Sequence, residues 1–242
     1  MNKIIFVLVV SLAFGSFTLF SQNLGTQRKL NQFTEYLDRH NENDIYDIDD
    51  PSTYNGSPFS NPSYSFGNVY RDDELISKGI ALRYNVFSEE IEVKESILED
   101  DNTAKALTKS TDIHVSIVND KFVYIPVNET LVTGGYFQVL HKGNFILLYK
   151  KLLKKFYFPK KAATSLTKDV PATFIDREVF YIATKEGRYY ELPSSKSKKI
   201  KVFEKNKELV KNYLKEKDLD INKEKDLIRL IIYLDNLEVS EL

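Results

Sequence analysis

Few residues of this chain have the types and spacing that catalysis or metal binding requires. Of the three histidines, His40 lies in an acidic segment, while His114 and His141 each lie at a strand or turn. Neither of these two has a second histidine or a carboxylate at the sequence spacing of a metal site. A lone histidine in such a position favours a surface or hydrogen-bonded residue over a general base or a metal ligand.

Two pairs of adjacent carboxylates are the other candidates for chemistry. Glu89-Glu90 lies at a hairpin turn, where neighbouring side chains point apart, so glycoside hydrolysis by paired carboxylates is not indicated. Asp100-Asp101 lacks the surrounding oxygen ligands of a calcium loop, and Gly134-Gly135 alone indicates a turn. No nucleophile elbow, zinc-binding helix or phosphate-binding glycine loop occurs. We therefore predict no catalytic, metal-binding or cofactor-binding residue, and no cofactor.

The first residues indicate where the chain acts. Lys3 precedes an apolar run over Ile4–Phe20, and Ser21 is a small residue at the expected cleavage position. This arrangement predicts a secretory signal peptide over residues 1–21, cut between Ser21 and Gln22. We expect the mature protein in the periplasm, on the outer surface or in the medium. The alternative is an uncleaved N-terminal anchor, because the run approaches the length of a membrane span.

The composition is that of a globular domain that depends on its own core. The sequence has no cysteine, which excludes disulfides, thiolate metal sites, a cysteine nucleophile and a lipid-modified cysteine anchor. Of its 242 residues, 42% are apolar and 13% are aromatic. Chains of this length bury most of the surface that they expose when unfolded. The many Phe, Tyr, Val and Ile residues favour strands.

Charge is distributed unevenly, although the formal net charge is only −1. Residues 35–50 include seven acidic residues and one arginine, whereas residues 142–217 include twenty basic and eight acidic residues. A solvated lysine-rich surface explains the basic half, and the alternative is contact with an envelope protein or an anionic envelope polymer. Aromatic residues are interleaved with lysines around Leu152–Pro159, and their spacing suits a packed strand or helix as well as a binding stripe. We expect no nucleic-acid partner, because no binding motif is present. We also expect that the chain is not an integral membrane protein once the signal peptide is removed.

Hydrophobic patterns divide the rest of the chain into parts. Residues 22–64 are polar, acidic and rich in Pro, Asn and Ser, which predicts a partly disordered N-terminal segment. Residues 65–193 alternate between apolar and polar side chains and carry short turns, which predicts an antiparallel β domain with successive hairpins. Such hairpins favour a meander over a parallel sheet. The expected hairpins join Gly79–Phe87 to Ile91–Lys94, Ile113–Val118 to Lys121–Val127, Tyr136–Leu140 to Phe145–Tyr149, and Val179–Thr184 to Arg188–Leu192.

After Pro193 the apolar spacing changes to that of amphipathic helices. One stripe runs from Ile200 to Leu214 and a second from Leu227 to Leu234. Residues 194–242 are therefore predicted to form a helical hairpin packed on the β domain. The predicted fold class is mainly β with α+β character: an antiparallel meander, as a curled sheet or a partly open barrel, followed by the helical hairpin.

Three groups of motifs carry a resemblance to a known family. They are Gly56-Ser-Pro-Phe59; Leu82-Arg-Tyr-Asn-Val86 with Glu90-Ile-Glu-Val93; and Phe122-Val-Tyr-Ile125 with Gly135-Tyr-Phe-Gln-Val-Leu140 and Leu147-Leu148. Together with the lysine-rich helical tail, they resemble a family of uncharacterised exported proteins from Bacteroidota. The resemblance covers residues 54–236 and implies a location in the bacterial envelope or outside the cell. It implies no activity.

These observations favour an exported, non-enzymatic β-rich module that acts as an envelope-associated binding or assembly protein. Two alternatives stay open. A hydrolase could assemble its site from Asp, Glu, Ser and Tyr residues that are scattered in the sequence, and a deep cleft with convergent carboxylates would favour it. A carrier of a small apolar ligand is the other alternative, because a curled antiparallel sheet can enclose a cavity. An empty interior lined by aromatic residues would favour it, and a filled core would exclude it.

Overall fold

The computed structural model describes residues 37–38, 51–164, 166, 168–239 and 241–242. Within them, twelve strands form one open sheet, and helices follow towards the C-terminus. The predicted fold class is confirmed. The predicted signal peptide, its cleavage residues Ser21 and Gln22, the residue His40 and most of residues 22–50 lie outside the described residues.

The strands form two antiparallel meanders that share β3. Across the sheet their order is β1-β6-β5-β4-β3-β7-β8-β9-β10-β11-β12, and the short β2 pairs with β11 in parallel. All four predicted hairpins are confirmed, as β4–β5, β7–β8, β9–β10 and β11–β12. The strands are β1 Leu37–Asp38, β2 Tyr54–Asn55, β3 Ser65–Arg71, β4 Glu74–Asn85, β5 Glu90–Lys94, β6 Lys105–Leu107, β7 Ile113–Ile117, β8 Asp120–Ile125, β9 Gly135–Lys142, β10 Ile146–Tyr157, β11 Ala172–Thr184 and β12 Tyr189–Leu192.

The helical tail contains the two expected amphipathic helices and one short helix before them. Apolar residues at helical spacing, among them Val210 and Leu230, are buried against β9 to β12. None of the helices in the described ranges is long and apolar enough to cross a membrane. The helices are α1 Lys196–Lys201, α2 Lys207–Glu216 and α3 Glu224–Asn236, and single 3-10 turns occur at Pro51–Thr53, Asp101–Thr103 and Glu204–Asn206.

The long hairpin of β10 and β11 extends well beyond the predicted strands. All twelve residues of β10 pair with β11, from Ile146 opposite Thr184 to Tyr157 opposite Thr173. The sequence prediction ended the first strand at Tyr149, because the next residues are mostly lysines and hide the alternation. The lysine side chains lie along the sheet with their apolar stems covered and their ammonium groups paired, so the strand continues.

Two apolar cores lie on one face of the sheet, and a third lies on the other. Successive residues of a strand point to opposite faces, and β9 shows this clearly. Tyr136 belongs to the first core, which we call the strand core, formed by β3 to β5 and β7 to β9. Leu140 packs in the second, the helix core, between the sheet and α1 to α3. Phe137 points to the opposite face and packs against Tyr149 and Tyr181.

Residues 54–60 form a strap that shows how strongly the sheet curls. At one end Tyr54 pairs with Ala172 of β11, and at the other Phe59 bridges Asn85 of β4 in the line of β3. Five residue steps span at most about 18 Å. In a flat sheet the line of β3 and β2 would be about six strand spacings, or about 29 Å, apart. The sheet is therefore curled, and strand pairing does not close it.

Candidate functional site

A cleft of about 470 Å³ opens beside the strand core, and one of its ends reaches the N-terminus of α3. β3, β4, β7, β8, β9, β10 and β11 contribute to its lining, together with the strap and the N-terminus of α3. This volume lies in the range of pockets that hold small molecules. The floor is apolar and consists of Leu82, Tyr84, Val86, Ile117, Phe122 and Leu152.

Three residues of β10 show how the sequence builds the rim of the cleft. Lys150, Leu152 and Lys154 occupy alternate positions and therefore share one face of the sheet. Leu152 packs on the strand core between the two lysines. The side chains of Lys150 and Lys154 are only 11% and 7% exposed. Leu152 and Lys154 fall in the stretch Leu152–Pro159, for which a binding stripe is one sequence-based alternative, whereas Lys150 is in no predicted site. The alternation of the three residues along β10 was the signal that could have identified them together.

The carboxylates that pair with these lysines are far more exposed. Lys150 Nζ lies 2.8 Å from Glu224 Oε2 and 3.8 Å from Glu178 Oε1, and Lys154 pairs with Asp176. The side chains of Glu224, Glu178 and Asp176 are 36%, 50% and 78% exposed. The cleft thus has buried cations and outward-facing counter-ions.

A fourth carboxylate, Asp120, lies at the end of the cleft near Lys150. Its Oδ1 accepts a hydrogen bond of 2.7 Å from Gln138 Nε2. Gln138 is the register partner of Lys150 on the neighbouring strand. Each of the four carboxylates that line the cleft thus already contacts an ammonium or amide group.

Asp101, from one of the two predicted carboxylate pairs, belongs to a buried ionic network on the other face of β4 and β5. Arg83 donates to Glu92 Oε2 from Nη2 and Nε at 2.7 and 2.9 Å, and to Asp101 Oδ2 from Nη1 at 2.9 Å. Its guanidinium lies between the rings of Phe59 and Tyr64, 3.7 and 4.1 Å from their centroids. Partial burial alone would raise the pKa of Asp101, but hydrogen bonds from the neighbouring cations outweigh it and hold that pKa below its ordinary value. This network fastens the chain after the strap to the sheet.

Glu89, from the other pair, connects two hairpins. Its Oε1 lies 2.8 Å from Lys151 Nζ, and its Oε2 accepts hydrogen bonds from the Tyr84 hydroxyl at 3.1 Å and the Tyr136 backbone N–H at 3.2 Å. Lys151 also donates to the carbonyl of Gly134 at 2.6 Å. Burial, reinforced by the Glu89 carboxylate, raises the pKa of Tyr84 far above its ordinary value. The buried tyrosine therefore acts here as a hydrogen-bond donor and not as a base.

Each histidine of the described ranges has a carboxylate neighbour that is distant in sequence. His114 Nε2 lies 3.8 Å from Asp73 Oδ1, and partial burial, together with Lys121, lowers the pKa of its imidazole. His141 Nε2 lies 3.6 Å from Asp235 Oδ2. The two histidines lie in different parts of the fold. In the part of the chain that the structure covers, no three histidine or carboxylate side chains come together as a metal site would require.

Comparisons with known proteins identify no relative. No family model matches the chain, and no curated protein or solved structure is significantly similar to it. The resemblance to exported proteins of Bacteroidota therefore stays a prediction, and the export signal stays one as well. The candidate site rests on the geometry of the cleft.

Proposed function

We propose that this protein is an exported, non-enzymatic binding module whose cleft holds a small ligand with an apolar part. The observation that carries the proposal is the cleft of about 470 Å³ with its apolar floor. Tyr84 and Phe122 contribute aromatic rings to that floor. Of the alternative functions suggested by the sequence, this arrangement favours that of a carrier for a small apolar ligand.

The floor supplies affinity and the rim supplies orientation. A ligand that covers roughly 100 Å² of apolar surface gains about 2.5 kcal/mol from the hydrophobic effect. Charged groups at the rim contribute less to affinity but determine which end of a ligand enters. A pocket with an apolar floor and a few convergent polar groups is the usual form of a small-molecule site.

The location and the wider partners belong to the same proposal. The apolar run over Ile4–Phe20 supports export, and the basic excess in residues 142–217 supports contact with an envelope protein or an anionic envelope polymer. A pull-down of the tagged protein from native envelope and culture fractions, read by mass spectrometry, tests this part. A stoichiometric protein partner would make the chain an assembly module.

A hydrolase is the second candidate, because four carboxylates line the same cleft. It predicts turnover of a glycoside, ester or peptide substrate that is lost in Glu178→Gln or Asp120→Asn. Turnover that survives both substitutions would not come from this cleft. A binding module predicts no turnover and unchanged ligand affinity in Asp120→Asn.

Fluorescence titration with the neutral probe N-phenyl-1-naphthylamine tests the proposed binding site. We expect saturable binding at one site, abolished by Leu152→Glu, which places a charge on the floor. Ser65→Phe fills the cleft without a new charge and should also prevent binding. Ile175→Glu is the matched control, because Ile175 is exposed on β11 and does not line the cleft. Probe binding that is unaffected by both cleft substitutions in folded protein would refute the proposal.

A further inference from the structure

We infer that the ligand is an amphipathic anion, with an apolar chain on the floor of the cleft and a carboxylate-type head group at Lys154. The inference rests on the proposed function and names the chemical class of ligand for the same site. It follows from two features of the rim: the burial of its cations and the uneven distribution of charge along it.

In the ion pair of Lys154 with Asp176, the lysine side chain is buried and the carboxylate side chain is exposed. The lysine side chain is 7% exposed, whereas its counter-ion Asp176 is 78% exposed. A buried ammonium group needs an anionic partner, because burying it unpaired is costly. An exposed carboxylate loses little free energy when it leaves its partner for water, because ion pairs of exposed groups contribute little to stability. An anionic ligand can therefore replace Asp176 beside Lys154 at low cost.

The charge along the cleft gives the ligand a direction. At one end, the ammonium group of Lys154 faces the single carboxylate of Asp176. At the other end, the single ammonium group of Lys150 lies among three carboxylates, Asp120, Glu178 and Glu224. The first end is balanced in charge, whereas the second has an excess of negative charge. An anionic head group fits only the first.

The apolar floor begins directly beside the proposed head-group site. Leu152 is two residues before Lys154 on the same face of β10, so about 7 Å of strand separates them. Beyond Leu152 the floor continues to Leu82 and Phe122 on the facing strands. A chain attached to a head group at Lys154 would therefore run along the edge of the strand core, where Leu152 and Ile117 are the partly exposed residues of the floor.

Three ligands with the same ten-carbon chain separate the contribution of the head group from that of the floor. Decanoate, decan-1-ol and decyltrimethylammonium, each below its micelle concentration, are used to displace N-phenyl-1-naphthylamine from the full chain. We expect decanoate to bind about tenfold more tightly than decanol, because a charge-assisted hydrogen bond replaces a neutral one. The cationic ligand should bind most weakly of the three.

Three variants locate the head group. Lys154→Gln should remove the preference for decanoate while decanol still binds, which also shows that the cleft is intact. Asp176→Asn should strengthen decanoate binding about threefold or more and leave decanol unchanged, because it removes the competing carboxylate. Lys155→Gln is the matched control, since Lys155 is the next residue of β10 and lies exposed on the other face. It should behave as the unmodified protein.

The outcomes distinguish this inference from the proposed function. If decanol binds as well as decanoate, or if the preference survives Lys154→Gln, the head-group inference is overturned and the cleft remains a binding site. Preference for the cationic ligand, or no gain in Asp176→Asn, overturns it equally. If none of the three ligands displaces the probe and Leu152→Glu does not change probe binding, both the head-group inference and the proposed function are refuted.

Discussion

Asp235, near the end of α3, holds the turn between β9 and β10 against the helices. Its Oδ1 accepts hydrogen bonds from the backbone N–H groups of Phe145 and Ile146 at 2.8 and 3.0 Å, and its Oδ2 accepts one from Asn144 at 3.2 Å. The side chain is only 11% exposed. The close approach requires Gly143, because a Cβ there would collide with the carboxylate. This single side chain therefore joins the helical layer to the sheet.

The contacts determine the expected cost of removing the carboxylate. In Asp235→Ala three backbone donors lose their acceptor; water can replace it at the exposed Asn144 but not at the buried Ile146. A hydrogen bond to a charged group contributes about 1.5–3 kcal/mol, and such bonds are not additive. We expect the free energy of unfolding to fall by about 3 kcal/mol. Asp226→Ala in the same helix is the control, because the Asp226 carboxylate accepts a backbone hydrogen bond from the Asp220 N–H at 3.1 Å. Its loss should lower the free energy of unfolding by only about 1 kcal/mol.

The contribution of Asp235 to the free energy of unfolding should also depend on pH. Burial alone would raise the pKa of its carboxyl group, but the three backbone donors outweigh it and hold that pKa below its ordinary value. A carboxyl group with a depressed pKa in the folded state stabilises the protein above its unfolded pKa, about 3.9. This stabilisation is lost as the pH falls through the folded pKa. Urea unfolding of the unmodified protein and Asp235→Asn at pH 7, 5, 4 and 3 measures it. A difference between the two proteins that stays constant down to pH 3 would refute the reasoning.

Three further substitutions test the strained and buried positions of the sheet. Val118→Gly should raise the free energy of unfolding by about 1 kcal/mol, since Val118 has a left-handed φ of +56° that costs a β-branched residue about 1–2 kcal/mol; an unchanged urea midpoint would contradict this. Glu92→Gln should lower the free energy of unfolding by about 3 kcal/mol or more, because it leaves the buried Arg83 guanidinium without its main counter-charge. A loss below 1 kcal/mol in urea unfolding would show that Asp101 compensates. Gly135→Ala should lower the melting temperature far more than Gly79→Ala, although both glycines have positive φ, because only at Gly135 would the new Cβ collide with other side chains; equal shifts would argue against the collision.

The sheet was predictable because its signals are local. The turn at Lys142-Gly143-Asn144 separates two runs of alternating residues, and the structure has the β9–β10 hairpin there. The β7–β8 hairpin also forms as predicted, but its turn is Val118-Asn119, one residue earlier than the predicted Asn119-Asp120, so the positive φ falls on the β-branched Val118. The backbone N–H of Val118 donates to Phe66 of β3 at 3.1 Å. A contact with β3, which is distant in sequence but pairs with β7 in the sheet, therefore overrides the local preference of the turn.

The alternation of the rim residues along β10 was visible in the sequence, but the cleft was not predictable, because the curl of the sheet brings β4 and β8 against β10. Glu89 lies in the β4–β5 turn and contacts Lys151 of β10, a strand five places away from β4 in the sheet. The lysines of β10 suggested a basic surface in the sequence, yet Lys150, Lys151 and Lys154 are buried and paired in the fold. Their partners come from the strand pairing of β11, from α3 and from this turn. Sequence spacing contains no information about these contacts.

The cleft exists because the sheet has polar residues where a continuous core would place apolar ones. Along one face of β9, Gln138 separates Tyr136 of the strand core from Leu140 of the helix core. Its register partner on β10 is Lys150, and both are less than a tenth exposed. Replacing buried, paired polar groups by apolar residues of similar size is often neutral or stabilising. Stability alone therefore does not account for this polar pair. By keeping the two cores apart, it leaves open the space that we propose the ligand occupies.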